Sequence, residues 1–296
     1  MTDSRRSEDI RLLTWRLDAF HSASYFAPEL RTELAAAGLV HGSDQYLASR
    51  AAPLGAIGGE AVTSVFYAFG HDYVCRSLPK VWETTSPQQA HAARLRGVAA
   101  LVERARSGAA EDGLPGGAAQ IDADAARLCE ELAPVVAAMD DTYRPLSAAT
   151  RAALAQVPGA SDPVLALWIT ATHLREYRGD SHGAVLATSG VTGAVASILH
   201  SLDGGPFPPA AARRAHGWTA EVWAETVDHL RSAGLVAGAD DDTAVPTAAG
   251  KGLRAELEAA TDAAVAASWD SLDDARLHDL AQLARVGGRL ARAAKG

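Results

Sequence analysis

The sequence is poor in cysteine. Only Cys75 and Cys129 occur among 296 residues, and neither belongs to a CxxC pair or to a histidine-rich stretch. This pattern excludes a disulfide framework and gives no indication of a structural zinc site. We therefore expect two reduced, buried thiols and predict no metal ligands, and the sequence identifies no cofactor.

Long apolar runs and an excess of positive charge are also missing. The segment Met1–Arg6 leads into charged sequence rather than into an apolar leader, and no apolar stretch is long enough to cross a bilayer. We therefore expect a cytoplasmic protein without membrane contact. The formal net charge is -9 and the pI is near 5.5, which disfavours non-specific attraction to nucleic acid.

Helix-forming residues are abundant instead. Alanine, leucine and valine recur at helical spacing, whereas alternating β-branched or aromatic runs are scarce, so we predict a mainly α fold. Asp162-Pro163 is typical of a helix start, and Gly179 is expected to end that helix. The glycine-rich stretch 107–119 predicts a surface loop, and the leucine stripe over 272–290 predicts one final helix.

The last third of the chain has the order of a winged helix. Gly217-Trp218-Thr219 precedes a helical pattern in which Trp223, Val227 and Leu230 share one face, and Ala233-Gly234-Leu235-Val236 ends it. An acidic turn, Val245-Pro246 and a further helix follow. This order resembles the C-terminal half of a winged helix of the MarR kind, with an insertion around 191–215.

The whole chain also resembles a group of actinobacterial proteins described as carrying a helix-turn-helix domain. The resemblance implies a helix-turn-helix fold and a cytoplasmic setting, but it carries no activity. We expect a helical N-terminal domain at 1–158, a MarR-like winged-helix domain with a small β wing at 159–268, and a C-terminal helix at 269–296. The matching stretches are Tyr25–Glu29, Arg50–Gly55, Leu174–His182 and Gly217-Trp218.

The predicted DNA-reading helix has the wrong charge for its usual partner. Its outward face carries Glu221, Glu225 and Asp228 against Arg231, and Asp240–Asp242 occupy the predicted wing tip. Phosphates lining the major groove disfavour unpaired carboxylates. We therefore expect the winged helix to serve as a scaffold, and DNA binding stays an alternative that would need a basic stripe from Arg175, Arg178, Arg213 and Arg214.

The densest group of ionisable residues lies at 173–182. Glu176 and His182, with Asp180 beside them, are candidates for a general acid/base set, and Arg178 could bind a carboxylate or a phosphate. The alternative is structural: an Arg178–Asp180 ion pair that closes a turn, with His182 bonded to backbone. His173 and Glu176 stand in the reversed order of a helical metal motif, so a metal is not predicted.

A second candidate site lies near the N-terminus. His21, Tyr25 and Glu29 are spaced by four, and His21 and Tyr25 could line a ligand pocket with Arg50, Tyr67 and the glycine-rich corner at 55–59. Phe26, Phe66 and Phe69 are expected to be core aromatics, whereas the roles of Tyr25 and Tyr67 stay open.

Three functions follow, of which the third is a pure interaction protein. The first is a small-molecule-binding protein, with catalysis left open, whose polar pocket lies in the helical domain. The second is a ligand-responsive winged-helix regulator that binds DNA. No serine-nucleophile motif or nucleotide fingerprint is present, so no reaction is assigned. The resemblance to MarR-type folds implies dimerisation through terminal helices, which makes a homodimer possible.

Overall fold

The structure is a computed structural model that describes residues 2–111, 115–155, 157, 161–239 and 241–295. Helix predominates in these residues, and the mainly α fold is confirmed. The α-helices are α1 Thr2–Ala23, α2 Pro28–Ala36, α3 Gly42–Ala51, α4 Gly59–Val65, α5 His71–Ser77, α6 Pro87–Glu111, α7 Gly117–Ala137, α8 Pro145–Leu154, α9 Pro163–Thr188, α10 Gly193–Leu202, α11 Pro209–Ala215, α12 Ala220–Ser232, α13 Ala248–Val265, α14 Asp274–Leu283 and α15 Arg285–Lys295. The strands are β1 Val236–Ala237 and β2 Val245–Pro246, and short 3-10 helices cover Ser24–Phe26, Ala52–Leu54, Lys80–Glu83 and Ala266–Trp269.

The chain forms two compact units, and both are discontinuous in sequence. The first unit contains residues 1–56, 81–178 and 265–296, and the second contains 57–80 and 179–264. Helix α9 thus contributes its first part to one unit and its last part to the other. The boundaries of these units differ from the domain limits expected from the sequence. The first of those limits, between positions 158 and 159, lies outside the described residues. The three-part division stays a prediction.

The first unit is built around α6. This helix packs against α2, α3, α7 and α15, while α1 packs against α14 and α15. Gly97 permits the close approach of α2, because a Cβ at this position would lie 2.6 Å from the Leu30 Cα atom. Arg104 of α6 binds the Glu29 carboxylate and so ties α2 to the same helix. The core is apolar, with Leu13, Phe20, Leu101, Leu128, Leu132 and Trp168 among its fully buried side chains.

The C-terminal segment differs from the single helix that the sequence predicts. It consists of α14 and α15, which are separated at Ala284. The break lets both helices lay their apolar faces on α1: Leu277, Leu280 and Leu290 are fully buried. Gly287 lies directly on α1, where a Cβ would come within 2.7 Å of the Arg16 carbonyl oxygen. The leucine stripe is therefore covered within its own unit.

Two other predicted boundaries also change. Helix α6 continues to Glu111, so the predicted loop at 107–119 is shorter, and residues 112–114 lie outside the described residues. Helix α9 begins as predicted, because Asp162 accepts hydrogen bonds from the backbone N–H groups of Val164 and Leu165, both at 2.9 Å. It does not end at Gly179 but runs on to Thr188. An interior glycine costs a helix only about 1 kcal/mol, and the packing of α9 before and after Gly179 offsets that cost.

The second unit contains a helix-turn-helix. Helices α10, α11 and α12 and the β1–β2 hairpin share one apolar core that includes Ile198, Leu199, Ala212, Trp223, Val227, Leu230 and Val236. The strands pair antiparallel, with Val236 opposite Pro246. The segment around 191–215, expected as an insertion, supplies part of this core. A two-strand sheet and the helix after Thr219 are present as predicted, whereas the MarR-like winged helix stays a prediction.

No single helix in the described residues is long and apolar enough to cross a membrane. Helices α9 and α10 pass that test only as a pair, and they are bent by 111° where they meet.

Candidate functional site

Three arginines surround one buried carboxylate in the first unit. We call Arg50 of α3, Arg94 of α6, and Arg175 and Glu176 of α9 the arginine cluster. Arg50 Nη2 lies 3.1 Å from Glu176 Oε2, and Arg175 Nη1 lies 2.6 Å from Glu176 Oε1. Arg175 also binds Asp18 through its Nε atom at 3.0 Å. The Glu176 side chain is only 2% exposed, so its charge depends on these arginines.

The arginines keep Glu176 ionised. Burial raises the pKa of the Glu176 carboxyl, but the charges of Arg50 and Arg175 and the Arg50 hydrogen bond outweigh burial and lower that pKa to about 2. A general base near neutral pH needs a pKa close to the working pH. Glu176 is therefore suited to holding cations in place and unsuited to accepting a proton.

Arg94 brings a further positive charge without its own counter-ion. Its Nη2 atom donates to Tyr25 Oη at 3.1 Å, and its Nη1 atom donates to the Ser49 carbonyl at 3.3 Å. Its guanidinium lies 5.3 Å from the Tyr25 ring centre and 5.2 Å from that of Trp168. Across the described part of the chain no carboxylate forms an ion pair with Arg94, and its Nε atom has no hydrogen-bond partner. The cluster thus holds three positive charges around the buried carboxylate of Glu176, and Asp18 is a more exposed partner of Arg175.

His21 lies beside the cluster in a directed chain of hydrogen bonds. Thr172 donates its hydroxyl to the Trp168 carbonyl at 2.8 Å, so His21 Nδ1 donates to Thr172 Oγ1 at 2.9 Å. His21 Nε2 then accepts from Tyr25 Oη at 3.1 Å. Burial, followed by the positive charges of the nearby arginines, lowers the pKa of His21 well below its usual value. His21 is therefore neutral at physiological pH, with its proton assigned to Nδ1 by this network.

The rim of the cluster is aromatic and half-buried. Tyr25 and Tyr46 have ring centres 4.9 Å apart, and Tyr46 Oη accepts a hydrogen bond from Arg50 Nη1 at 3.2 Å. The Arg50 side chain is 11% exposed and that of Arg175 is 22% exposed. Arg50 and Arg175 are therefore partly exposed, and each lies beside a tyrosine of the rim: Arg50 contacts Tyr46, and the Arg175 guanidinium lies 5.7 Å from the Tyr25 ring centre.

The structure brings only part of the predicted site together. His21, Tyr25, Arg50 and Glu176 meet in the first unit. Glu176 and His182 are six residues apart on α9, which is about 9 Å along the helix axis, and their partners differ. His182 Nδ1 lies 2.8 Å from Thr261 Oγ1 in the second unit. The predicted acid/base pair is therefore not assembled.

The remaining predicted residues have separate positions. Arg178 and Asp180 lie within continuous helix, not in a turn, and residues two apart on a helix point in different directions. Tyr67 lies in the second unit, where its hydroxyl donates to the Val191 carbonyl at 2.8 Å. Phe66 and Phe69 are buried as predicted, but Phe26 is 56% exposed, so the prediction of a core aromatic there is wrong.

His182 also lines a small cavity in the second unit. The cavity has a volume of about 60 Å³, and His200, Arg254 and Glu258 contribute its other polar groups. Arg254 Nη2 donates to His200 Nδ1 at 3.2 Å. Sites for metabolites usually measure about 300–1,000 Å³, so this space suits water or a small ion only.

The helix-turn-helix of the second unit presents an acidic surface. Thr219 caps α12 by accepting from the Val222 N–H at 3.2 Å, and Glu221, Glu225 and Asp228 are exposed on the helix. Arg231 is neutralised internally: it lies 2.7 Å from Asp228 and 2.8 Å from Asp241. Of the predicted acidic wing tip, Asp240 lies outside the described residues.

Arg94 is the main functional candidate that the sequence reasoning missed. It lies on the buried face of α6, where Ala90 and Val98 precede and follow it at helical spacing. A charged residue at an otherwise apolar position of a helix was the available signal.

Comparison with known proteins identifies a family. No curated protein and no solved structure matches the chain. The model of a helix-turn-helix family matches residues 10–296, which is nearly the whole length, and the arrangement of α11, the Gly217 turn and α12 agrees with that description. The chain belongs to this helix-turn-helix family.

Proposed function

We propose that the protein binds a small anionic molecule at the arginine cluster and that its helix-turn-helix serves as a scaffold. The observation that carries this proposal is a local excess of positive charge: Arg50, Arg94 and Arg175 surround the buried Glu176. Asp18, the second partner of Arg175, is 44% exposed. Burying an unpaired charge is costly, and a bound anion would offset that cost. Catalysis is not part of the proposal.

The chemistry of the rim favours an organic carboxylate or a phosphate. Guanidinium groups bind both anions through paired N–H donors, and the rings of Tyr25 and Tyr46 can pack on a flat apolar body. Arg50 and Arg175 are the donors nearest to solvent. Arg94 lies deeper, so it contributes its charge and holds Tyr25 in place.

Titration with inorganic phosphate and with benzoate tests the proposal and separates the two ligand classes. We expect isothermal titration calorimetry to detect binding of at least one of them by the full chain. Arg94→Gln removes the uncompensated charge and keeps a donor for Tyr25, so we expect it to weaken binding by about tenfold or more. The folded state should lose no stability, because an unpaired buried charge is removed.

Arg96→Gln is the matched control. Arg96 lies on the same helix, but it is exposed and pairs with Glu33 at 2.7 Å. Its replacement should leave binding unchanged. The proposal is wrong if neither anion binds, or if Arg94→Gln binds as tightly as the wild-type chain while lowering the melting temperature.

A ligand-responsive DNA-binding regulator is the second candidate, and family membership is the observation that favours it. It would use a MarR-like winged helix and, by resemblance, a homodimer formed through the terminal helices; both stay predictions. Of the basic stripe it needs, Arg175 is engaged by Asp18 and Glu176, and Arg178 lies on α9. Arg213 and Arg214 lie in the last turn of α11. The acidic face of α12 opposes it.

Fluorescence titration with duplex genomic fragments at low salt tests this candidate. Salt-sensitive binding that is lost in Arg213→Ala/Arg214→Ala would support a regulator. Failure to bind at low salt would remove it, because electrostatic attraction is strongest there.

A further inference from the structure

Three side chains with metal-binding atoms converge in the second unit. Glu60 belongs to the first turn of α4, and His71 and Cys75 belong to α5. A carboxylate oxygen of Glu60, a ring nitrogen of His71 and the Cys75 sulfur all lie within 4.8 Å of one another. His71 and Cys75 are four residues apart on one helix, which places them on the same face.

The spacing of two of these atoms matches a tetrahedral ion. Cys75 Sγ lies 3.5 Å from His71 Nε2. A tetrahedral zinc ion with bond lengths of about 2.3 Å to sulfur and about 2.0–2.1 Å to nitrogen holds those ligand atoms about 3.6 Å apart. The two side chains therefore already stand at the separation that one shared ion requires.

Asp72 orients the histidine for this role. Its Oδ1 atom lies 3.0 Å from His71 Nδ1, on the side of the ring opposite Cys75. A carboxylate bonded to the far nitrogen of a metal-binding histidine fixes the tautomer that leaves the other nitrogen free to bind. This contact is independent of the three ligand atoms, and it prepares Nε2 as the donor.

Glycine brings the two helices close enough. Gly59 starts α4, and a Cβ at this position would lie 2.7 Å from both the Cα and the Sγ atoms of Cys75. Any larger residue would push α4 away from α5 and carry Glu60 out of reach of the cysteine. The approach of the backbones therefore serves the same cluster.

We propose that Glu60, His71 and Cys75 bind a divalent transition metal ion and that Zn²⁺ is the ion of best fit. Sulfur and imidazole nitrogen select transition metals, whereas Mg²⁺ and Ca²⁺ prefer oxygen ligands only. Three protein ligands leave a fourth position for water, and Glu60 and His71 are exposed, so the ion can enter from solvent. This site is separate from the arginine cluster and does not depend on the function proposed for it.

The site adjoins the turn of the helix-turn-helix. The N–H of Gly70, next to His71, donates to the His216 carbonyl at 2.8 Å. A Cβ on Gly217 would overlap the Tyr73 ring, so α5 packs directly on that turn. An ion that joins α4 to α5 would therefore stabilise the support of the α11–α12 turn.

Cobalt substitution in the full chain, prepared without a histidine tag and stripped with a chelator, tests the proposal. We expect stoichiometric Co²⁺ binding with a sulfur-to-cobalt charge-transfer band in the near ultraviolet, and displacement of Co²⁺ by Zn²⁺. Cys75→Ser should abolish the band. Asp72→Asn, which keeps all three ligands, should weaken Zn²⁺ binding by about 10–100-fold.

Cys129→Ser is the matched control, because Cys129 is the other cysteine and lies in the first unit beside Thr170. It should keep both the band and the affinity. Circular dichroism checks that each variant is folded. The proposal is overturned if Co²⁺ binds without the band, if the band survives Cys75→Ser, or if the wild-type chain binds no ion stoichiometrically.

Discussion

Glu176 is held between Arg50 and Arg175 in the first unit, and its own side chain is almost completely buried. Its carboxylate is the single buried negative charge of the arginine cluster. The residue type suggested an acid/base group, but the surroundings decide otherwise, because two guanidinium groups stabilise the ionised form. Glu176 therefore acts as the buried counter-charge that stabilises the arginines of the cluster.

We predict that Glu176→Gln destabilises the fold strongly. The amide keeps the shape of the side chain but leaves Arg50 and Arg175 without a buried counter-charge, which typically costs about 3–5 kcal/mol. Urea unfolding at neutral pH measures the loss. Glu33→Gln is the control, because the exposed Glu33–Arg96 pair should contribute less than about 1 kcal/mol. Equal stability of wild type and Glu176→Gln would contradict the role assigned to Glu176.

His21 and Tyr25 were predicted from their four-residue spacing, Arg50 from a possible pocket beside the glycine-rich corner, and Glu176 from the density of ionisable residues at 173–182. Arg94 was missed although it interrupts an apolar helical face, because that signal does not show which groups a buried arginine contacts. The partners of Arg94 come from segments 45 and 69 residues earlier in the chain. Only the packing of α6 against them shows that its charge is buried.

At the scale of elements, Gly179 of α9 has the sequence context of a helix end but lies inside the helix. Gly179 follows a predicted helix and precedes charged residues, which is typical of a helix end. The helix continues to Thr188. The glycine that follows its end is Gly190, whose φ is 69°. There the Val191 N–H donates to the Leu186 carbonyl at 2.9 Å, which is the bond of a helix-terminating turn.

We predict opposite effects of alanine at these two glycines. Gly179→Ala replaces an exposed residue within the helix and should stabilise the protein by about 0.5–1 kcal/mol. Gly190→Ala should destabilise it by about 1 kcal/mol, because alanine disfavours a positive φ. Urea unfolding of both variants makes the comparison. A loss of stability in Gly179→Ala would indicate that the helix ends where the sequence suggested.

Other elements followed from local sequence to different degrees. The Asp162 cap, α12 and the two-strand sheet were predictable, because their signals lie within a few residues. The separation of α14 from α15 was not, since it depends on packing against α1 at the other end of the chain. The pair His71 and Cys75 carried a readable signal, a four-residue helical spacing, but Glu60 joins them only through the approach of α4 and α5.

At the scale of the whole molecule, the acidic composition hides a local group of positive charges. The net charge of -9 is a sum over the chain, whereas Arg50, Arg94 and Arg175 lie together around Glu176 in the first unit. Histidines in both units respond to burial and to nearby arginines. Burial lowers the pKa values of His21, His91 and His173 in the first unit and of His200 in the second, and nearby arginines lower them further.

The lowered pKa values of these histidines predict that mild acid destabilises the folded chain. The pKa of His173 falls to about 4 in the folded chain, against an ordinary value of 6.5, because burial and Arg151 disfavour its charged form. Between these values the unfolded chain binds a proton that the folded chain does not, so stability must fall as the pH is lowered from 6.5. His21 acts in the same direction. Glu176, whose pKa is about 2, becomes protonated only at lower pH, so its contribution to stability is lost only there.

We therefore expect the free energy of unfolding to decrease steadily from pH 7 to pH 4.5 in a series of urea titrations. His173→Gln removes one group that binds a proton in the unfolded chain but not in the folded chain. It should therefore reduce the slope of the free energy of unfolding against pH by up to about 1.4 kcal/mol per pH unit. The exposed His41→Gln is the control and should keep the wild-type slope. If stability rises on acidification, or if His173→Gln leaves the slope unchanged, then His173 is not buried in its neutral form, and the environment described for the first unit must be revised.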